Sequence, residues 1–259
     1  MSGEIVRTLT PEEEELLHKR EELAGVRAAL AERELALADF RTQLKIFEGR
    51  YLRQVGVLYA ELDDWEAKIA EIESVLRPST TASQRAQEAR AHATATHDAS
   101  HGEAAKAQDF QPSSDLKSLY RETAKRIHPD FAKDEADRVL RTRLMAQANT
   151  AYSQGDAEAL QRILDEFVDS PESVQGEGIG AELVRIIRQI HQAKRNIAAL
   201  DNELGKLRES RLARLKSDAE AAHKRGEDLL KELAASIRVR IVRAKEAYDT
   251  MAEEAKNRD

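Results

Sequence analysis

At 259 residues, with a formal net charge of −7, 34% charged residues and only 4% aromatic ones, the chain can hold one or two domains but has few of the side chains that build thick cores. The acidic balance argues against broad attraction to nucleic-acid phosphates or anionic lipid, and the lack of cysteine excludes disulfides, thiolate metal sites and thiol redox chemistry. No stretch approaches the roughly 20 apolar residues of a membrane span and Met1-Ser-Gly-Glu is not a secretory leader, so a soluble, cytoplasmic protein with no membrane or nucleic-acid partner is expected.

The first element opens at Thr10-Pro11-Glu12-Glu13, where Thr10 can cap, Pro11 suits the first helical position and the acidic run favours the positive helix end. Leu23, Leu30, Leu37, Leu44, Tyr51, Leu58, Trp65 and Ile72 recur every seven residues, with Val26, Phe40 and Phe47 between them. Beyond Phe47 the second register slides by one, to Val55, Leu62, Ile69 and Leu76, which reads as drift from a 3.5 toward a 3.6 repeat. A helix over residues 8–77 would extend about 100 Å, the length of an arm rather than of a globule. Tyr51 and Trp65 fit this stripe as packing residues, not as a nucleobase platform.

Pro78 ends the arm, and residues 78–109 are rich in Ala, Ser, Thr and His with almost no bulky apolar side chain, so a connector that is partly helical or flexible is expected there, without a core of its own. His97 and His101 stand at metal-compatible i, i+4 spacing near His92, but no further ligand set accompanies them, and no metal or other cofactor is expected. His18, His191 and His223 are isolated. No phosphate-binding Gly-rich loop or nucleophile elbow occurs.

Residues 110–168 hold the one candidate globular module. A helix capped by Ser114 or Asp115 must stop at Pro129, which lacks an N–H and clashes with the preceding turn. Glu135 to Tyr152 carries Val139, Leu140, Leu144, Met145 and Ala148 on an apolar face, and Ala157 to Phe167 carries Leu160, Ile163, Leu164 and Phe167. A breaker-rich linker over 169–180 leads to a second seam within 181–258: Leu183, Ile190, Ile197 and Leu204, interleaved with Ile186, Ala193, Leu200 and Leu207, then continuing after a phase shift through Leu212 and Leu215 to Tyr248 and Met251. The fold expected is all-α, with two long coiled-coil helices flanking the module and pairing as an antiparallel stalk, within one chain or between two copies.

The run from Leu116 to Ile127, the tripeptide His128-Pro129-Asp130 and the following Met145-Ala-Gln-Ala-Asn149-Thr-Ala151-Tyr152 together resemble the second helix, loop and third helix of a J-domain, the DnaJ-type co-chaperone module. The resemblance covers about a fifth of the chain. It implies a core from Leu116, Leu119, Ile127, Leu144, Met145, Asn149, Ala151 and Tyr152. It further implies a docking face from His128, Pro129, Asp130, Tyr120, Lys117, Arg121, Lys125 and Arg126, engaged by a DnaK-type chaperone whose ATP hydrolysis is stimulated, with no catalytic group on this chain. Lys117, Arg121 and Lys125 lie at four-residue intervals, so they share one side of their helix and suit an acidic groove. The family's short first helix has no counterpart. Either residues 103–110 supply a modified one or the module is truncated. The arms would then select a client whose identity is unknown; the competing expectation is a coiled-coil scaffold that uses the module only for binding.

Overall fold

The computed structural model describes residues 9–102, 110–168 and 178–257, and among them every regular element is helical. Residues 103–109, expected to supply a modified first helix, and most of the 169–180 linker lie outside the described residues. The chain divides into two compact units, one of residues 1–42 and 111–208, the other of residues 43–110 and 209–259.

Helix α1 (Pro11–Tyr51) starts with a reciprocal capping box: Glu13 N–H donates to Thr10 Oγ1 at 3.3 Å and Thr10 N–H to Glu13 Oε2 at 2.9 Å. In the first unit it pairs with α7 (Ile179–Arg208) through Leu16, Leu23, Leu30, Ile186, Ile190 and Ala193, all buried. Flanking ion pairs set the direction. Arg20 meets Glu182 at 2.7 Å, Arg33 meets Asp201 at 2.8 Å, and Arg41 meets Glu203, so residue numbers rise together and the helices run parallel. The expected antiparallel pairing is therefore corrected, while the pairing itself lies within one chain.

The second unit contains a helix and its reversal. A five-residue π turn (Leu52–Gly56) joins α1 to α2 (Val57–Leu76), and Ser79 caps α3 (Thr80–His101) by accepting from Ala82 N–H at 3.1 Å. Helix α3 returns antiparallel along α2: Arg90 clamps Glu71 at 2.7 and 2.8 Å and Asp64 at 2.8 Å, while Ser100 reaches Gly56. This reversal lies where the sequence suggested a connector without a core. Ala86, Ala93 and Ser100 are buried at seven-residue spacing and face a helix that buries Ala60 and Ala67. Small side chains bring the two backbones close, and a search for bulky apolar residues overlooks such a seam.

The C-terminal arm is likewise interrupted, not continuous. Ser210 caps α8 (Arg211–Lys224), Gly226 turns the chain at φ +81°, and Asp228 caps α9 (Leu229–Lys256). Helix α9 runs parallel to α2, with Lys245 paired to Glu61 at 2.9 Å and Tyr248 edge-on to Trp65 at 5.6 Å. The core of this unit comprises Phe47, Val55, Leu62, Leu230, Ile237 and Ile241.

The one-residue slip beyond Phe47 is localised in the π turn rather than spread as gradual drift. An i→i+5 ring holds one residue more than an α turn, so eight residues cover about the angle that seven otherwise do. Val55 and Leu62 accordingly stay buried, whereas Leu58, Trp65 and Ile72, still in the original register, become half-buried.

Candidate functional site

The module begins with α4 (Ser114–Ile127), whose first turn is capped by Ser113, accepting from Leu116 N–H at 3.1 Å. It continues through a single 3₁₀ turn (Pro129–Phe131) into α5 (Glu135–Gln154) and α6 (Ala157–Val168). Asp134 caps α5, and Gly155 ends it in the left-handed region at φ 75°. Helices α4 and α5 are antiparallel. Tyr120 donates to Asn149 and its ring lies 4.8 Å from that of Tyr152, while Arg141 lies beside the end of α4.

The expected core residues Leu116, Ile127, Leu144, Met145, Ala151 and Tyr152 are buried, and Leu119 and Asn149 are half-buried. Tyr120, expected on the docking face, is instead wholly buried, because its hydroxyl finds its partner on α5. Burial drives its phenol far above the ordinary tyrosine range, so it stays a neutral donor. Val139, expected on the apolar face, is 62% exposed. It borders a shallow groove that also takes in Pro129, Asp130, Arg138 and Arg143.

The tripeptide is held from several sides. His128 Nδ1 accepts from Asp130 N–H at 3.1 Å, which leaves the ring proton on Nε2, 3.3 Å from Glu34 Oε1. Arg141 donates to the carbonyls of Arg126 at 2.9 Å and His128 at 3.5 Å, so the orphan acceptors at the end of α4 meet a buried guanidinium. Asp137 steadies that guanidinium at 2.8 Å, and the Phe167 ring stacks 4.6 Å from it. Sequence reasoning missed Arg141. Its only signal was an Asp137–Arg141 pair at i, i+4, which ordinarily marks a solvated helix face.

The basic face and the turn lie against α1 and α7. Lys117 Nζ is 3.2 Å from Asp39 Oδ2, whose other oxygen accepts from Tyr152 OH at 2.9 Å. Arg121 Nε lies 2.6 Å from Glu32 Oε1, a contact of charges in which the N–H is not aimed at the oxygen. Asn196 donates to Asp130 Oδ1 at 2.6 Å, and Phe131 is buried in the α1–α7 seam under the Arg27 guanidinium, 4.3 Å from the ring centre. Lys125 and Arg126 are exposed, and Arg126 pairs with Glu122 at 2.7 Å.

Asp130 is the least comfortable member. Its side chain is 8% exposed, and Oδ2 has no hydrogen-bond partner among the described residues. Burial raises its pKa; His128 and the Asn196 bond oppose that rise, Glu34 adds to it, and Arg195 lowers it.

Elsewhere, His97 and His101 stack at 4.3 Å, and no group of three or more potential metal ligands occurs among the described residues. No helix there is long and apolar enough to cross a membrane. Compared with protein-family models, with curated proteins and with solved structures, the chain matches none.

Proposed function

We propose that the chain is a J-domain-like co-chaperone that recruits a DnaK-type chaperone and stimulates its ATP hydrolysis, while its coiled-coil arms select a client. The chain supplies no catalytic group of its own in this reading. One observation carries it: the effort the module spends on a single tripeptide. Arg141, Asp137 and the His128 ring jointly fix the His128-Pro129-Asp130 turn at the junction of two antiparallel helices, yet the Asp130 carboxylate is left partly unsatisfied. A buried acid with a raised pKa and an idle oxygen opposes folding, and such local conflicts concentrate where a residue serves something other than stability. A carboxylate held this way suits a charge-assisted bond to a partner guanidinium, and the exposed Lys125 and Arg126 suit steering by an acidic surface.

A scaffold that uses the module only for internal packing is the second reading, favoured by the burial of His128 and Asp130 against α1 and α7. Steady-state ATP hydrolysis by a DnaK-type chaperone separates the two. The co-chaperone reading expects acceleration that is lost in His128→Gln; acceleration that ignores the substitution would refute it.

A further inference from the structure

The face that the co-chaperone reading assigns to the partner is already occupied by the chain's own acidic residues. Glu32, Glu34 and Asp39, within two turns of α1, meet Arg121, His128 and Lys117 respectively, and Asn196 of α7 holds Asp130. Each side chain expected to reach an acidic groove on a partner, apart from Lys125 and Arg126, therefore has an internal substitute of matching charge. We infer that this segment of α1 is an autoinhibitory clasp: an acidic strip that stands in for the chaperone's groove and keeps the His128-Pro129-Asp130 turn latent until it is displaced. The inference rests on the co-chaperone reading.

The clasp opens from its outer edge. Glu32 is 50% and Arg121 41% exposed, and a pair of this kind is weak and screened by salt, whereas the Lys117–Asp39 and His128–Glu34 contacts lie deeper. Phe131 adds an apolar anchor that ties the turn to the α1–α7 seam. Lys125 and Arg126, outside the clasp, are exposed for a first encounter with an acidic partner, which could then compete residue by residue for Lys117 and Arg121. Because a partner can bind only the open population, its apparent affinity falls by the open fraction, and loosening the clasp raises that affinity without altering any docking residue.

The test uses the full chain carrying Glu32→Gln, Glu34→Gln and Asp39→Asn together, substitutions that keep side-chain shape and remove charge. The single Glu32→Gln variant, altered at a half-exposed position, is the milder second variant. Two readouts are taken: amide hydrogen exchange across residues 114–131, and the concentration of each protein giving half-maximal acceleration of ATP hydrolysis by a DnaK-type chaperone.

The clasp predicts faster exchange around residues 128–131 in the triple variant and a half-maximal concentration lower by about tenfold or more, with Glu32→Gln between it and the wild type. Acceleration by wild type and triple variant at the same concentration would overturn the clasp and leave the co-chaperone reading standing. Unchanged exchange would overturn it as well, because the carboxylates would then not be what holds the turn. Faster exchange with no acceleration by either protein would instead refute the co-chaperone reading and the clasp with it. Adding His128→Gln to the triple variant must abolish the gain; a gain that persists means the exposed surface acts through other residues.

Discussion

Replacing Tyr152 with Phe tests the docking of the module on α1 without touching a charged group or the tripeptide. The Tyr152 hydroxyl donates to Asp39 Oδ1 at 2.9 Å from a fully buried ring, and burial, reinforced by Asp39, holds the phenol well above its ordinary pKa, so it donates throughout the physiological range. A hydrogen bond to a carboxylate contributes about 1.5–3 kcal/mol. Asp39 is 19% exposed and keeps Lys117 at 3.2 Å, so water and the ammonium recover part of the loss and about 1.5 kcal/mol is expected. With a urea m-value of about 2 kcal/mol/M, the midpoint should fall by about 0.7 M. Far-UV circular dichroism follows the helices of both units, whereas Trp65, the chain's single tryptophan, reports by fluorescence on the other unit. A double-mutant cycle with Asp39→Ala, which removes the acceptor, should show coupling of about 1 kcal/mol. A midpoint shift below about 0.2 M, or additive single effects, would refute the docking geometry.

Asp130→Asn should stabilise the protein by about 1 kcal/mol at pH 7, because the amide keeps the Oδ1 acceptor for Asn196 and removes a buried charge with an idle oxygen. Since the folded carboxylate has a raised pKa, its penalty is complete above that value, shrinks as pH falls through it and vanishes below the unfolded value of 3.8; urea midpoints of the two proteins should therefore converge in acid, and a gap independent of pH would contradict the assignment. Leu30→Ala, at a fully buried seam position shared with Phe131, should destabilise by about 2–5 kcal/mol in the same assay, and a loss below about 1 kcal/mol would mean the seam is not packed there. Zero-length carbodiimide coupling should join Lys194 to Glu22 and Lys245 to Glu61, pairs 2.7 and 2.9 Å apart, in peptides from one isotopically unmixed chain; links in the reverse order along the arms would restore the antiparallel arrangement.

What the sequence made legible is the set of positions that repeat in bulk. Leu23, Leu30, Leu37 and Leu44 are buried where a seven-residue pattern puts them, and the helix stop at Pro129 follows from proline's covalent geometry. Three things stayed hidden for separate physical reasons. The α2–α3 seam depends on Ala86, Ala93 and Ser100, whose smallness is the interaction, so the region lacked an apolar signal. The direction of α7 along α1 stayed hidden because a heptad identifies a face and not the sense of its partner. The surroundings of Lys117, Arg121 and His128 depend on carboxylates 78 to 94 residues away along the chain, and a basic helix face has the same sequence whether water or an acidic strip covers it. Arg141 was missed on similar grounds, because its carbonyl partners come together only once α4 and α5 fold back.

The π turn at Leu52–Gly56 also bears on how chains of this kind can change length. An inserted residue in a coiled-coil helix ordinarily rotates everything after it by about 100° and turns the apolar stripe toward water. Here the surplus is stored in one wide turn, so Phe47 and Val55, eight positions apart, address the same core. A sister chain shorter by one residue in this stretch would close the wide turn into an ordinary one and present an unchanged surface downstream. In aligning such chains, a single-residue gap at 52–56 is a conservative difference, whereas the same gap a few turns away in either direction would not be.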